Sequence, residues 1–176
     1  MKWDSIYFSR LTEDDLELVR NWRNDEKISK FMQYRSYISP EMQLKWYKTI
    51  NNTENFYFII MYDELKIGLA NIKDIDWDRK CGEVGIFIYE ETYLNSLLPY
   101  VVSLKGLELD FKEYNLQYVY AHILKTNKRA IRFNKSFGFE LEPHQETVEN
   151  QKYILTRENY EKNAYSLEKI IRKSMN

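Results

Sequence analysis

Two titratable side chains stand in runs that read as strands, and each is a candidate for exchanging a proton with a bound molecule. Glu83 lies in Gly82-Glu83-Val84-Gly85-Ile86-Phe87-Ile88, where alternation puts it on one face with Gly85 and Phe87. A carboxylate among apolar neighbours is suited to removing a proton. His122 alternates with Tyr118 and Tyr120 on a second such run, and imidazole is the side chain that titrates near neutrality. Both positions also fit plainer roles, a solvated strand-end acid and a structural histidine. His144, beside Pro143 in a loop-like stretch, is expected at the surface. The single Cys81 excludes an intrachain disulfide, and one Cys with two His does not suggest zinc. No metal is expected.

The elements that must position these residues can be read in order. Ile6 to Leu11 is a strand leading into Thr12-Glu13-Asp14-Asp15-Leu16. Thr12 is a cap, acidic residues fill the first turn, and Leu11 packs on Leu16 as a staple. A short helical piece covers 26–32. Ser39-Pro40-Glu41 opens another helix, whose face is kept by Met42, Trp46 and Ile50. Residues 56–62 and 66–75 form an antiparallel hairpin about Asp63-Glu64-Leu65, and 83–89 is a further strand. Helix 95–111, strand 118–123, helix 128–137 and strand 139–141 follow. Residues 151–155 close the sheet, and 158–173 is an amphipathic helix. Residues 1–157 therefore read as one mixed α/β domain, with 158–176 as its C-terminal helix.

Composition narrows the class. The 176 residues suit about one domain with a real core. Lys plus Arg (26) nearly balances Asp plus Glu (27), so no strong field recruits nucleic acid or a membrane. No apolar run approaches a membrane span and the N-terminus has no leader-like apolar stretch, so a cytoplasmic location is expected. The fifteen Tyr serve either sugar and nucleotide surfaces or an ordinary core.

The order of elements, the Gly82–Ile88 segment, and Asn127-Lys128-Arg129-Ala130-Ile131-Arg132-Phe133-Asn134-Lys135-Ser136-Phe137-Gly138-Phe139 together resemble the Gcn5-related N-acetyltransferases (GNAT). The resemblance spans about residues 6–155. Leu16-Glu17-Leu18-Val19-Arg20-Asn21-Trp22-Arg23-Asn24, with Ile28, Phe31-Met32, Ile38 and Trp46, looks most like the branch that acetylates nucleotide-linked amino sugars, as in the pseudaminic acid pathway. The resemblance implies a mostly antiparallel sheet splayed between its fourth and fifth strands, with helices on both faces. It implies transfer of acetyl from acetyl-CoA to a primary amine, with protein N-termini as the alternative acceptor. A chain that keeps the fold without catalysis, as a binding or scaffold protein, is a further alternative.

Such a reaction needs a neutral amine, donors for the thioester oxyanion, and a held donor arm. By resemblance the arm pairs with the backbone of Phe87, Ile88 and Tyr89. The diphosphate lies against Leu94, Asn95, Ser96, Leu97 and Leu98, and Asn127, Arg129, Ala130 and Asn134 complete the donor site. Arg23, Asn24, Met32 and Trp46 line the acceptor pocket. Two features depart from the family. The glycines of the phosphate loop are replaced near Leu97 and Pro99, with Glu90 and Glu91 upstream and no Lys or Arg between Lys80 and Lys105. Asn95 as a cap and the outward amides of Ser96 to Leu98 would then serve the phosphates, with Lys125, Lys128 and Arg129 as cations. Many relatives also carry Tyr where this chain has Asn134, and an amide cannot give up a proton to a thiolate. The C-terminal helix either covers a homodimer surface or caps the sheet.

Overall fold

The computed structural model describes residues 3–175. Strand β1 (Ile6–Arg10) leads through a 3-10 turn, Glu13–Asp15, into helix α1 (Leu16–Asn24). The turn is held by Asp15, whose Oδ2 accepts from the Thr12 N–H at 3.0 Å and from its hydroxyl at 2.9 Å. With the Thr12 side chain facing the Asp15 N–H in return, the pair forms a reciprocal capping box about the expected cap. Leu11 and Leu16 share one apolar cluster, as a staple requires.

Helix α2 (Glu26–Ser29) is a single turn, shorter than predicted. Helix α3 (Pro40–Ile50) starts as its sequence indicates, with the Ser39 hydroxyl accepting from the Met42 N–H at 3.2 Å. Its buried line runs through Gln43 and Ile50, whereas Met42 is 43% exposed. Trp46 and Tyr47 pack beside the α1 cluster and set the rotation of the helix.

Strands β2 (Phe56–Tyr62) and β3 (Leu65–Asp76) are joined by Asp63 and Glu64, both at positive φ (44° and 64°). That turn twists the way the paired strands do. After β4 (Cys81–Ile88) comes a single turn, α4 (Glu91–Leu94), outside the predicted helix over 95–111, which itself starts later, as α5 (Leu98–Glu108), and runs on as a π-helix over Leu109–Glu113. Pro99 has no N–H and is tolerated only in a first turn, so the helix starts at Leu98 and not at Asn95. Strand β5 (Tyr118–Leu124), helix α6 (Lys128–Ser136), strands β6 (Glu140–Leu141) and β7 (Asn150–Thr156), and helix α7 (Arg157–Met175) complete the chain.

The sheet has the order β1-β2-β3-β4-β5-β7-β6. Residues 150–156 do not close it. They insert between β5 and the two-residue edge strand β6, antiparallel to both. On one face Ile60, Ile72, Val101, Leu104, Val119 and Leu155 form the larger core, to which α7 adds Tyr160 and Ile171. On the other, Val19 and Trp22 of α1 meet Tyr57, Ile59 and Leu69. Helices thus cover both faces of a mixed sheet. Among the described residues no helix is long and apolar enough to cross a membrane.

The feature that matters for function lies between β4 and β5, the one parallel neighbour pair. They pair only at Cys81–Tyr118, Gly82–Val119 and Glu83–Tyr120. Beyond that point β4 stays on β3 as far as Ile88, and β5 stays on β7 as far as Leu124. The sheet therefore forks, and its two halves diverge from Glu83 onward.

Candidate active site

Glu83 occupies the vertex of this fork. Register aligns Lys73, Glu83 and Tyr120 across β3, β4 and β5, so their side chains share one face. The Glu83 carboxylate is bound from both sides: Oε2 lies 2.9 Å from Lys73 Nζ, and Oε1 lies 3.2 Å from Nδ1 of His122. His122 is two residues past the last β4–β5 pair, at the lip of the opening, and its side chain is one-third exposed against 18% for Glu83. The two residues singled out as candidate bases are therefore one close pair. With the imidazole proton on Nδ1 donated to Glu83, Nε2 is left as an open lone pair.

Around the pair stand groups that the sequence does not flag. Burial works against the charge of Lys73, but its bonds to Glu83 and Asp74 and their charges together outweigh this, and its pKa is raised. Tyr57 is buried, and its phenol is pushed up to about 12, chiefly by burial. The Tyr120 ring meets His122 edge to face at 5.7 Å, and Lys152 Nζ lies 4.7 Å from its centroid. Alternation alone assigns Lys73 to a face. Its place opposite Glu83 depends on the β3–β4 register, which is irregular between Lys73 and Asp76.

On the acceptor side, Arg23 descends from α1 toward Tyr57, which senses its charge. Its Nε is sealed from solvent without a partner. Among the described residues no hydrogen bond or ion pair reaches this guanidinium at all, and burial pulls its pKa down. Trp46 packs edge to face on Tyr57 at 5.0 Å. Asn24 is differently engaged: its carboxamide donates to Ile38 O at 2.9 Å and accepts from Ile38 N–H at 2.8 Å. It fastens the loop between α2 and α3 to the end of α1, leaving little for a ligand. Met32 is half-buried on that loop, and its carbonyl accepts from Arg35 Nε.

On the donor side the open edge of β4 has a definite parity. The Tyr89 N–H donates to Ile67 O at 2.8 Å, while Lys80 O faces β5 and accepts from the Gln117 N–H at 2.7 Å. Alternation along the strand then turns the amides of Phe87 and Tyr89 toward β3, and those of Val84, Ile86 and Ile88 toward the fork. Of the three predicted arm-holding residues only Ile88 presents its N–H to the opening. The Tyr89 side chain is also fixed, its hydroxyl donating to Asp25 at 3.0 Å and its ring stacked on Trp22 at 5.5 Å.

The loop before α5 offers few bare amides. The Ser96 N–H donates to Tyr93 O at 3.1 Å and the Leu98 N–H to the Ser96 hydroxyl at 3.1 Å; Pro99 has none. Asn95 ends α4 and does not cap α5, whose N-cap is Leu97. The expected outward amides of Ser96 and Leu98 are thus satisfied internally. On α6, Asn127 Oδ1 caps the Ala130 N–H at 3.1 Å, and Asn134 donates to Ala130 O at 2.9 Å. Arg129 reaches the loop itself, donating to Leu94 O and lying 3.4 Å from Asn95 Oδ1. Residues along the fork fit an extended amide-bearing arm; the loop backbone does not fit a wrapped diphosphate, whereas the Arg129 side chain does.

Among the described residues, no group of three or more His, Cys, Asp and Glu is placed to hold a metal. His144 is exposed at positive φ. Cys81 is buried.

Comparison with known proteins agrees with this geometry. Acetyltransferase PseH of Campylobacter jejuni is 23% identical over 141 residues, covering 76% of this chain and 82% of that protein. A structure described as apo FdhC, a nucleotide-linked sugar GNAT, superposes with a TM-score of 0.76 at 24% identity, covering 92% of each chain. The spermidine N-acetyltransferase of Vibrio cholerae, in complex with CoA and spermine, gives a TM-score of 0.75 at 20% identity, covering 89% and 98%. The family model of the acetyltransferase (GNAT) domain matches residues 5–140. A forked sheet, a titratable pair at its vertex and this match place the chain in the GNAT acetyltransferase family.

Proposed function

We propose that the chain transfers an acetyl group from acetyl-CoA to the primary amine of a nucleotide-linked amino sugar. The observation that carries the choice of acceptor is Arg23. A half-buried guanidinium whose Nε is shut off from solvent without a partner is costly, and an anionic group on the acceptor relieves that cost. A nucleotide diphosphate supplies such a group in a form that the planar fork binds well. A polyamine would instead bring positive charge toward Arg23 and Lys73. The descriptions of PseH-like and nucleotide-linked-sugar relatives point the same way, although a spermidine N(1)-acetyltransferase is also 24% identical over 136 residues.

In this reading acetyl-CoA, bound in the fork, supplies an activated acyl carbon whose C–S bond breaks as the N–C bond forms. His122 Nε2 takes a proton from the acceptor ammonium, directly or through water, and frees the nitrogen lone pair. Glu83 keeps the imidazole oriented, and Lys73 balances the carboxylate. The Ile88 N–H, with those of Ile86 and Val84, holds the arm and draws charge from the carbonyl oxygen. Asn134 offers hydrogen bonding to sulfur but no proton, so the departing thiolate takes, through water, the second proton that the nitrogen sheds as the amide forms.

The test is thiol release with UDP-linked amino sugars, N-terminal peptides and spermidine as competing acceptors. The nucleotide sugar is expected to give the highest kcat/KM; a tenfold preference for either other class sinks the assignment. Arg23→Met adds a second readout. Acceptor KM should rise by about 10–100-fold, as for loss of a hydrogen bond to a charged group, while Tm holds or rises because a half-buried charge with an unpartnered Nε is gone. The satisfied amides of Ser96 and Leu98 favour one other reading, a chain that keeps the fold without binding the donor. A thermal shift at saturating acetyl-CoA separates the two, since a hundredfold excess over Kd adds about 2.7 kcal/mol.

A further inference from the structure

We propose that Arg129, on the first turn of α6, is the residue that holds the donor diphosphate in this chain, replacing the backbone cradle that the loop before α5 does not form. The inference rests on the donor reading above.

Two charges must be met where the arm leaves the fork. The Ser96 and Leu98 amides are already bonded within the loop, and Pro99 has none. The loop also brings Glu90 and Glu91 and no cation, since no Lys or Arg lies between Lys80 and Lys105. A diphosphate placed against this loop alone would meet carboxylates and apolar side chains.

Arg129 changes that balance from the opposite bank. Its helix follows β5, the far side of the fork, while the loop follows β4, the near side. The guanidinium spans the two, donating through one nitrogen to the Leu94 carbonyl, with Asn95 Oδ1 at 3.4 Å from the same nitrogen. The contact is exposed, and its acceptors are neutral. A guanidinium has five donors in a planar fork. A diphosphate offers charged oxygens at matching spacing, and charge-assisted bidentate bonds are roughly twice as strong as neutral ones. The anion therefore displaces the carbonyl from the guanidinium, and the side chain need only rotate. The Asn127 cap on Ala130 keeps the first turn of α6 in place while it does so.

Calorimetric titration of the wild type and of Arg129→Gln and Arg129→Lys with CoA, 3′-dephospho-CoA and pantetheine tests the assignment. Acetylation from S-acetyl-pantetheine, which has no diphosphate, serves as the control. In Arg129→Gln the affinities for CoA and 3′-dephospho-CoA should fall alike, by about 10–100-fold. Arg129→Lys should recover part of that loss, and kcat/KM with S-acetyl-pantetheine should stay at the wild-type value. Three results overturn the proposal: unchanged CoA affinity, a loss seen with CoA but not with 3′-dephospho-CoA, which would assign Arg129 to the 3′-phosphate, or an equal loss with the truncated donor. The donor reading fails separately, if the wild type neither binds CoA nor acetylates from either thioester.

Discussion

Replacing His122 by Ala is expected to lower kcat by about 10²–10⁴-fold, the usual worth of a positioned general base. The Michaelis constants should change little, since the imidazole sits at the lip of the fork and buries little of itself. Glu83→Gln should follow with a similar or smaller loss. The amide can still accept from Nδ1–H, but it carries no charge to stabilise the imidazolium. It also leaves Lys73 without its 2.9 Å partner. A His122→Ala enzyme within threefold of the wild type would mean that the pair at the vertex is structural.

The second large effect concerns Gly68, opposite Ile88 on β3. A Cβ there would lie 2.2 Å from the Phe87 carbonyl oxygen and 2.9 Å from Ile88 Cα, both backbone atoms. Side chains cannot swing aside to relieve this, so Gly68→Ala must push β4 off β3. Overpacking of this kind costs on the order of 3 kcal/mol, which for a chain of this size lowers Tm by roughly 6–12 °C. Because the displaced backbone is the one that faces the donor, CoA affinity should fall with stability. Gly106 is the control. It lies inside α5, and a Cβ meets only Phe8 Cζ at 3.8 Å. Ala at that position gains helix propensity and should add about 0.5–1 kcal/mol. A Gly68→Ala protein as stable as the wild type in thermal melts would show that the strands have room to separate.

What was legible in the sequence was local. The β2–β3 hairpin and the Ser39-Pro40 helix start follow from spacing within a dozen residues, and the structure has both. So does the forked sheet, through the resemblance that the order of elements carries. What was hidden depends on pairing between distant segments. Nothing within residues 150–156 says that they lie between β5 and β6, since a strand carries its alternation but not its neighbour. Lys73 reads as one polar residue among several on β3; only the register across an irregular stretch makes it a partner of Glu83. On α3 the choice between Met42 and Gln43 as the inward residue is one of helix rotation, decided by what Trp46 and Tyr47 meet. Analogy with a glycine loop turns the amides of Ser96 to Leu98 outward, but the Tyr93 carbonyl claims that of Ser96 and the Ser96 hydroxyl that of Leu98.

The fork also leaves a dynamic signature along a single strand. The amide hydrogens of Phe87 and Tyr89 point into the β3 ladder, so solvent reaches them only when the two strands separate. Those of Ile86 and Ile88 face the opening and have no ladder partner on that side. Deuterium should therefore enter β4 at every other residue, and an occupant of the cleft that pairs with this edge would make the alternation vanish.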